Sequence, residues 1–108
     1  MSLREWTFLS NHAHVLICIA RDPDSRVRDI ADQVGLTVRA VQRILVELEK
    51  AGFVEAERIG RRNHYAINLD GPLRHPLEEG ASIRNLLRDL VEPKQLRAVA
   101  IRPPKSSS

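Results

Sequence analysis

Two groups of side chains in this sequence have the types and spacing that bonding to nucleic acid requires. Arg39, Gln42 and Arg43 lie three and four residues apart, which is the spacing of one face of a helix. Arginine can form two hydrogen bonds with O6 and N7 of guanine, and glutamine can do the same with N6 and N7 of adenine. The second group is Arg61 and Arg62, which follow a glycine between two extended runs. Arginine suits both phosphate oxygens and a narrow minor groove.

The helix that carries the first group is expected over residues 38–51, and its two sides differ in polarity. The apolar side, which must face a core, consists of Val41, Ile44, Leu45 and Leu48. The opposite side holds Arg39, Gln42, Arg43 and Val46. We therefore expect the arginines and the glutamine to point outward. The alternative is a solvated helix face that carries arginines without a binding role.

The residues before this helix predict a helix-turn-helix. A first helix is expected over residues 10–21, and a second, shorter one over residues 29–34, ended by Gly35. Thr37 can cap the third helix, so about three residues, "GLT", join the second helix to the third. In this geometry the first residues of the later helix meet base edges. The free amide groups near Thr37 and Val38 also suit a phosphate oxygen.

After Gly52 the apolar period changes from that of a helix to that of a strand. Two extended runs, residues 53–59 and 64–69, flank "GRRN" and predict a β-hairpin. Tyr65, Ile67 and Leu69 share one face of the second run, and that face is expected on the core. The basic and polar residues expected at or near the tip are Arg58, Arg61, Arg62, Asn63 and His64.

The C-terminal part of the sequence predicts one more helix and a tail. Residues 81–92 repeat apolar side chains at helical spacing, and residues 93–108 are rich in proline and serine, which indicates disorder. The expected organisation is a DNA-binding domain over residues 1–80, a dimerisation helix and a disordered tail. Trp6, Phe8 and Leu9 would form an exposed apolar patch with that helix unless a second chain covers it, so we expect a homodimer made from the two terminal regions. The alternative is that all of this surface packs within one chain.

Composition limits the other classes of function. The chain has 108 residues, a formal charge of +3 and a pI of about 9.6, which fits one domain and permits nucleic-acid binding without requiring it. One cysteine, Cys18, in an apolar run favours a reducing compartment, and no segment resembles a membrane span or a signal peptide, so we expect a cytoplasmic location. There is no phosphate-binding glycine loop, zinc spacing or paired nucleophile and base, so we expect no enzyme, cofactor or metal.

Residues 27–67 resemble the winged helix-turn-helix of bacterial and archaeal transcriptional regulators of the MarR and ArsR kind. In that pattern a short helix ends near a glycine, a threonine opens the recognition helix, "LE..G" closes it, and a basic wing follows, here Gly35, Thr37, Leu48–Gly52 and the hairpin about Gly60. The resemblance implies a mainly α fold with a small β-hairpin (α+β), with a three-helix core, a wing and an additional C-terminal helix. It also implies that Thr37, Arg39, Gln42 and Arg43 occupy recognition-helix positions and that Arg61 and Arg62 occupy the wing.

The sequence departs from that pattern in two ways. Arg28 stands where such proteins often have a serine or threonine cap. Long helical arms and a separate effector domain are not recognised in the sequence, which puts the sensing of a ligand in doubt and leaves an effector unknown. We expect sequence-specific binding of double-stranded DNA, with the recognition helix in the major groove and the wing on the phosphate backbone or in the minor groove. The alternative is a winged helix that binds protein without binding DNA, which the mild net charge and four glutamates favour. These glutamates are Glu47, Glu49, Glu55 and Glu57.

Overall fold

The computed structural model of the protein describes residues 5–101, which form a bundle of helices with one antiparallel hairpin. The elements are α1 (Asn11–Arg21), α2 (Val27–Val34), α3 (Val38–Lys50), β1 (Val54–Ile59), β2 (Arg62–Ile67), α4 (Ile83–Leu87) and α5 (Pro93–Val99). A short 3₁₀ helix (Pro76–Glu78) lies between β2 and α4. Three helices followed by a hairpin confirm the α+β class and the winged helix-turn-helix predicted from the sequence.

The cap expected for α3 is present, and a serine caps α1 in the same way. Ser10 Oγ accepts a hydrogen bond from the Ala13 amide at 3.3 Å, and Thr37 Oγ1 accepts one from the Ala40 amide at 3.0 Å. Gly35 ends α2 at a φ of 86°, a left-handed conformation that a side chain would strain. The helix end at Gly35 and the cap at Thr37 keep the connection between α2 and α3 short.

The start of α2 differs from the prediction. The helix begins at Val27 rather than Asp29, and Arg26 is its N-cap without a side-chain hydrogen bond. Arg28 is therefore inside the helix and not at the cap position. The helix extends because Val27 packs against the core, while Asp29 in the first turn places a negative charge near the positive end of the helix dipole.

The hairpin turn is tighter than the "GRRN" tip predicted from the sequence. Ile59 pairs directly with Arg62, so only Gly60 and Arg61 form the turn, and Arg62 and Asn63 belong to β2. Gly60 has a φ of 62°, which a two-residue turn of this kind requires. On its other edge, β2 meets the α1–α2 connection, where the Tyr65 amide donates to the Pro23 carbonyl at 2.9 Å.

The core joins all the helices to the base of the hairpin. The predicted apolar side of α3 is buried, and so is the predicted face of the second run, with Ile67 fully enclosed. The buried side chains of these two sets are Val41, Ile44, Leu45, Leu48, Tyr65, Ile67 and Leu69. The base of the wing is thereby fixed relative to α3.

The C-terminal region corrects two predictions. Residues 81–92 do not form one helix, because the Leu90 amide bonds the Leu87 carbonyl in a turn that ends α4 after five residues. Residues 93–99, predicted to be disordered, form α5, which contacts α1 and β2. Leu96 and Val99 are buried there, and the Ile101 amide donates to the Ile67 carbonyl at 3.0 Å. The rest of the predicted tail, residues 102–108, lies outside the described residues.

Candidate nucleic-acid interface

The N-terminal half of α3 presents a continuous polar surface. Thr37, Val38, Arg39, Gln42 and Arg43 are all exposed, and Val46 continues the same side. Among the described residues, neither Arg39 nor Arg43 has a carboxylate within ion-pair distance. One helix therefore brings together the side chains that could bond base edges, and over residues 5–101 no ion pair occupies either arginine.

The beginning of α3 adds backbone donors to this surface. Thr37 uses its side chain for the amide of Ala40, so the amides of Val38 and Arg39 stand at the open end of the helix, where they have no intrahelical acceptor. Such amides, with the positive end of the helix dipole, bind phosphate oxygens well. The geometry expected at this end of the helix is thus present.

The far half of α3 has the opposite character. Glu47 and Glu49 are exposed, and His12 Nε2 on α1 lies 2.8 Å from Glu47 Oε1. An ionised carboxylate only accepts hydrogen bonds, so the imidazole N–H donates. This contact joins α3 to α1 at the acidic end of the helix. The positive surface of α3 is consequently limited to its first two turns.

The wing residues do not form a single basic cluster. Arg58 and Arg61 are exposed, and Arg58 Nε donates to the Gly60 carbonyl at 3.2 Å, which holds the guanidinium near the turn. Asn63 is half-buried, and its Nδ2 donates to Tyr65 Oη at 3.4 Å. Asn63 thus has a contact inside the chain that the sequence did not indicate.

His64 and Arg62 are turned toward the α1–α2 connection. His64 Nδ1 lies 2.8 Å from Asp24 Oδ1, and Arg62 lines an open hollow of about 580 Å³ between α1, α2 and β2. Carboxylates of the same hollow come from Asp22, Asp24, Asp29 and Asp32. Asp24 is not among the functional residues predicted from the sequence. The alternation of acidic residues there was the available signal.

An apolar region lies beside the C-terminal end of α3. Trp6 and Phe8 are 78% and 91% exposed, and their rings meet edge to face with centroids 4.9 Å apart. Phe8 borders a groove of about 860 Å³ whose apolar lining also includes Leu16, Phe53 and Leu86. By contrast, most of the apolar stripe predicted for residues 81–92 is buried within the chain, namely Ile83, Leu87 and Val91. The two exposed aromatic side chains of the described residues therefore belong to the N-terminal segment.

The single cysteine of the sequence, Cys18, is not part of the polar surface of α3. Cys18 is buried, and burial raises the pKa of its thiol, an effect that the nearby charge of Arg21 only partly offsets. Over residues 5–101, no set of three His, Cys, Asp or Glu side chains is placed to hold a metal ion. In the same range no helix is long and apolar enough to cross a membrane.

The fold and the polar surface of α3 define the class as a winged helix-turn-helix protein. Residues 11–55 match the family model described as winged helix-turn-helix DNA-binding, a segment that runs from α1 through α3 to the start of β1. No curated protein matches the sequence. The family match supports DNA binding, with double-stranded DNA as the partner, and points to a regulator rather than an enzyme.

Proposed function

We propose that the protein binds double-stranded DNA in a sequence-specific manner as a transcriptional regulator of the MarR and ArsR kind. The observation that carries the proposal is the exposed set Arg39, Gln42 and Arg43 on a capped helix whose other side is buried in the core. A helix held in this way enters the major groove as a rigid body, so its side chains meet base edges without a large ordering cost.

The proposed contacts with DNA differ between the residues of α3 and those of the wing. Arg39 and Arg43 bond guanine, because a guanidinium donates to both O6 and N7. Gln42 bonds adenine, because its amide can donate to N7 and accept from the N6 amino group. Thr37 and Val38, at the open end of α3, bind a phosphate and set the depth of the helix. The wing binds the backbone or the adjacent minor groove, which supplies affinity that does not depend on sequence.

A homodimer is part of the proposal. Trp6 and Phe8 are large, exposed and adjacent to an apolar groove, and a second copy would remove that surface from water. Two-fold symmetry would place two α3 helices about one helical turn apart on the duplex and would require a pseudo-palindromic operator. Sedimentation equilibrium of the full chain tests this point, and a monomer at micromolar concentration with and without operator would contradict it.

Selection of bound sequences from a random duplex library, at two salt concentrations, tests the function. The wild-type chain should enrich one half-site, and the paired change Arg39→Ala with Arg43→Ala should abolish the enrichment. Arg97→Ala is the matched control, because Arg97 is an exposed arginine on α5. Equal enrichment by the α3 variant and the wild type would contradict base reading by this helix.

A winged helix that binds protein without binding DNA is the second candidate. The exposed Trp6 and Phe8 favour it, since solvent-exposed aromatic pairs beside a groove are typical of protein contacts. Failure of the wild-type chain to bind any duplex at low salt, together with capture of a stable protein partner, would select this candidate over the first.

A further inference from the structure

We infer that the wing divides its arginines between two tasks: Arg58 and Arg61 contact DNA, whereas Arg62 holds the wing to the acidic α1–α2 connection. This inference rests on the proposed function for its first half only. Its second half concerns the free protein. The sequence offers no way to separate these residues, because Arg61 and Arg62 are neighbours near the same turn.

The register of the hairpin fixes which side chains share a face. Arg58 pairs with Asn63, so both lie on the face that carries Tyr65 and, further along, the buried pair Val54 and Ile67. Ile59 pairs with Arg62, and Glu57 pairs with His64, so these four side chains lie on the opposite face. Side chains alternate along a strand, and therefore Arg58 and Arg62 project from opposite sides of the wing.

The two faces differ in charge. Both carboxylates of β1, Glu55 and Glu57, lie on the face of Arg62, and Glu57 is diagonal to Arg62 across the hairpin. Between residues 54 and 67 the face of Arg58 carries no carboxylate. A phosphate that approached the face of Arg62 would meet acidic neighbours, whereas one that approached the face of Arg58 would not.

The hollow beside β2 indicates that Arg62 compensates the charge of nearby aspartates and does not contact DNA. Arg62 lines it together with Arg21, Arg26 and four aspartates, so the formal charges are three positive against four negative. Without Arg62 the aspartates would face one another with less compensation. In the same place His64 bonds Asp24, and the Tyr65 amide bonds the Pro23 carbonyl. Arg62 thus lies beside the contacts that attach β2 to the body of the protein, on the side where its charge faces the aspartates.

Arg58 is placed where it can contact DNA. Its Nε–H bonds the Gly60 carbonyl, which directs the guanidinium to the turn beside Arg61. Within the described part of the chain its other N–H groups have no acceptor, so they can bond a phosphate. The face of the hairpin that carries Arg58 packs on the helices closer to the base of the wing, through Val54, Tyr65 and Ile67. The basic tip at the turn therefore consists of Arg58 and Arg61, and Arg61 also borders a second hollow that Asp24 and Arg62 line.

Single substitutions test the proposed DNA contacts of Arg58 and Arg61, with the salt dependence of DNA binding as the measurement. Arg58→Ala and Arg61→Ala should each reduce the slope of log K against log salt by about 0.9 per chain, the value for one lost phosphate contact. Arg58→Lys should restore the slope, because a lysine supplies the same charge. Arg62→Ala should leave the slope at the wild-type value, and equal losses for Arg58→Ala and Arg62→Ala would overturn the division of tasks.

The second half is tested in the free protein by hydrogen exchange of the Tyr65 amide. Arg62→Ala should raise its exchange rate by a factor of about 2 to 5, the range for a partly exposed charge contact, and Asp24→Asn should do likewise. Arg58→Ala is the matched control and should leave the rate unchanged. An unchanged rate in Arg62→Ala would overturn the positioning role. A wild-type chain that binds no duplex would overturn the proposed function and the role of Arg58, while the exchange experiment would still decide the role of Arg62.

Discussion

Replacing Val99 by alanine should lower the free energy of unfolding by about 2 to 3 kcal/mol, because α5 is part of the core. The Val99 side chain is fully buried, in a helix that packs on α1 and β2. Two carbon groups are lost, and each buried CH₂ is worth about 0.8 kcal/mol, which gives about 1.6 kcal/mol. The cavity that remains adds about 1 kcal/mol if the neighbours relax only in part.

Urea unfolding followed by circular dichroism measures this loss. For a domain of this size about 1 kcal/mol corresponds to 4–8 °C, so the melting temperature should also fall by about 10 °C or more. Lys94→Ala is the matched control, since Lys94 is exposed on the same helix and its loss should change stability by less than about 0.5 kcal/mol. If Val99→Ala behaved like Lys94→Ala, α5 would not be docked in solution, and the packing argument would be refuted.

Three further predictions concern a cap, a close contact and a base-reading side chain. Thr37→Ala should cost about 1 kcal/mol of stability, and Thr37→Ser should not, because a serine hydroxyl also caps α3; thermal melts of the two variants check this. Gly71→Ala should cost about 1 to 3 kcal/mol in denaturant titration, since an added Cβ would lie 2.9 Å from ring carbons of Phe53. Gln42→Ala should lose about 1 to 3 kcal/mol of preference at one base pair of the half-site, measured by competition with single-base operator variants; a uniform loss at all positions would contradict base reading.

The recognition helix could be predicted well because its signals are local. The cap at Thr37, the end of α2 at Gly35 and the apolar period of α3 each depend on residues within a few positions. A helix with one buried side has only one orientation available, so the exposure of Arg39, Gln42 and Arg43 follows from the period alone. The core face of β2 was predictable for the same reason.

The C-terminal helix was not predictable from composition. Pro93 and the proline and serine residues near the chain end favoured disorder, yet Pro93 occupies the first helical position, where its missing amide costs nothing. Leu96 and Val99, three residues apart, were the only local signal of a buried face. Whether so short a helix forms depends on the surface that α1 and β2 offer it, and a sequence window does not contain that surface.

The charges of the wing illustrate a different limit. A tally of basic residues along the sequence treats Arg58, Arg61, Arg62 and His64 alike, but a hairpin register sends neighbouring residues to opposite faces. The turn has two residues rather than four, and this difference decides which face Arg62 occupies. Asp24, 38 positions before Arg62, then supplies the acidic surroundings on that side. The residues proposed to give specificity can therefore be located from the sequence of one helix, whereas the proposed phosphate contacts of the wing depend on the turn length and on a distant loop.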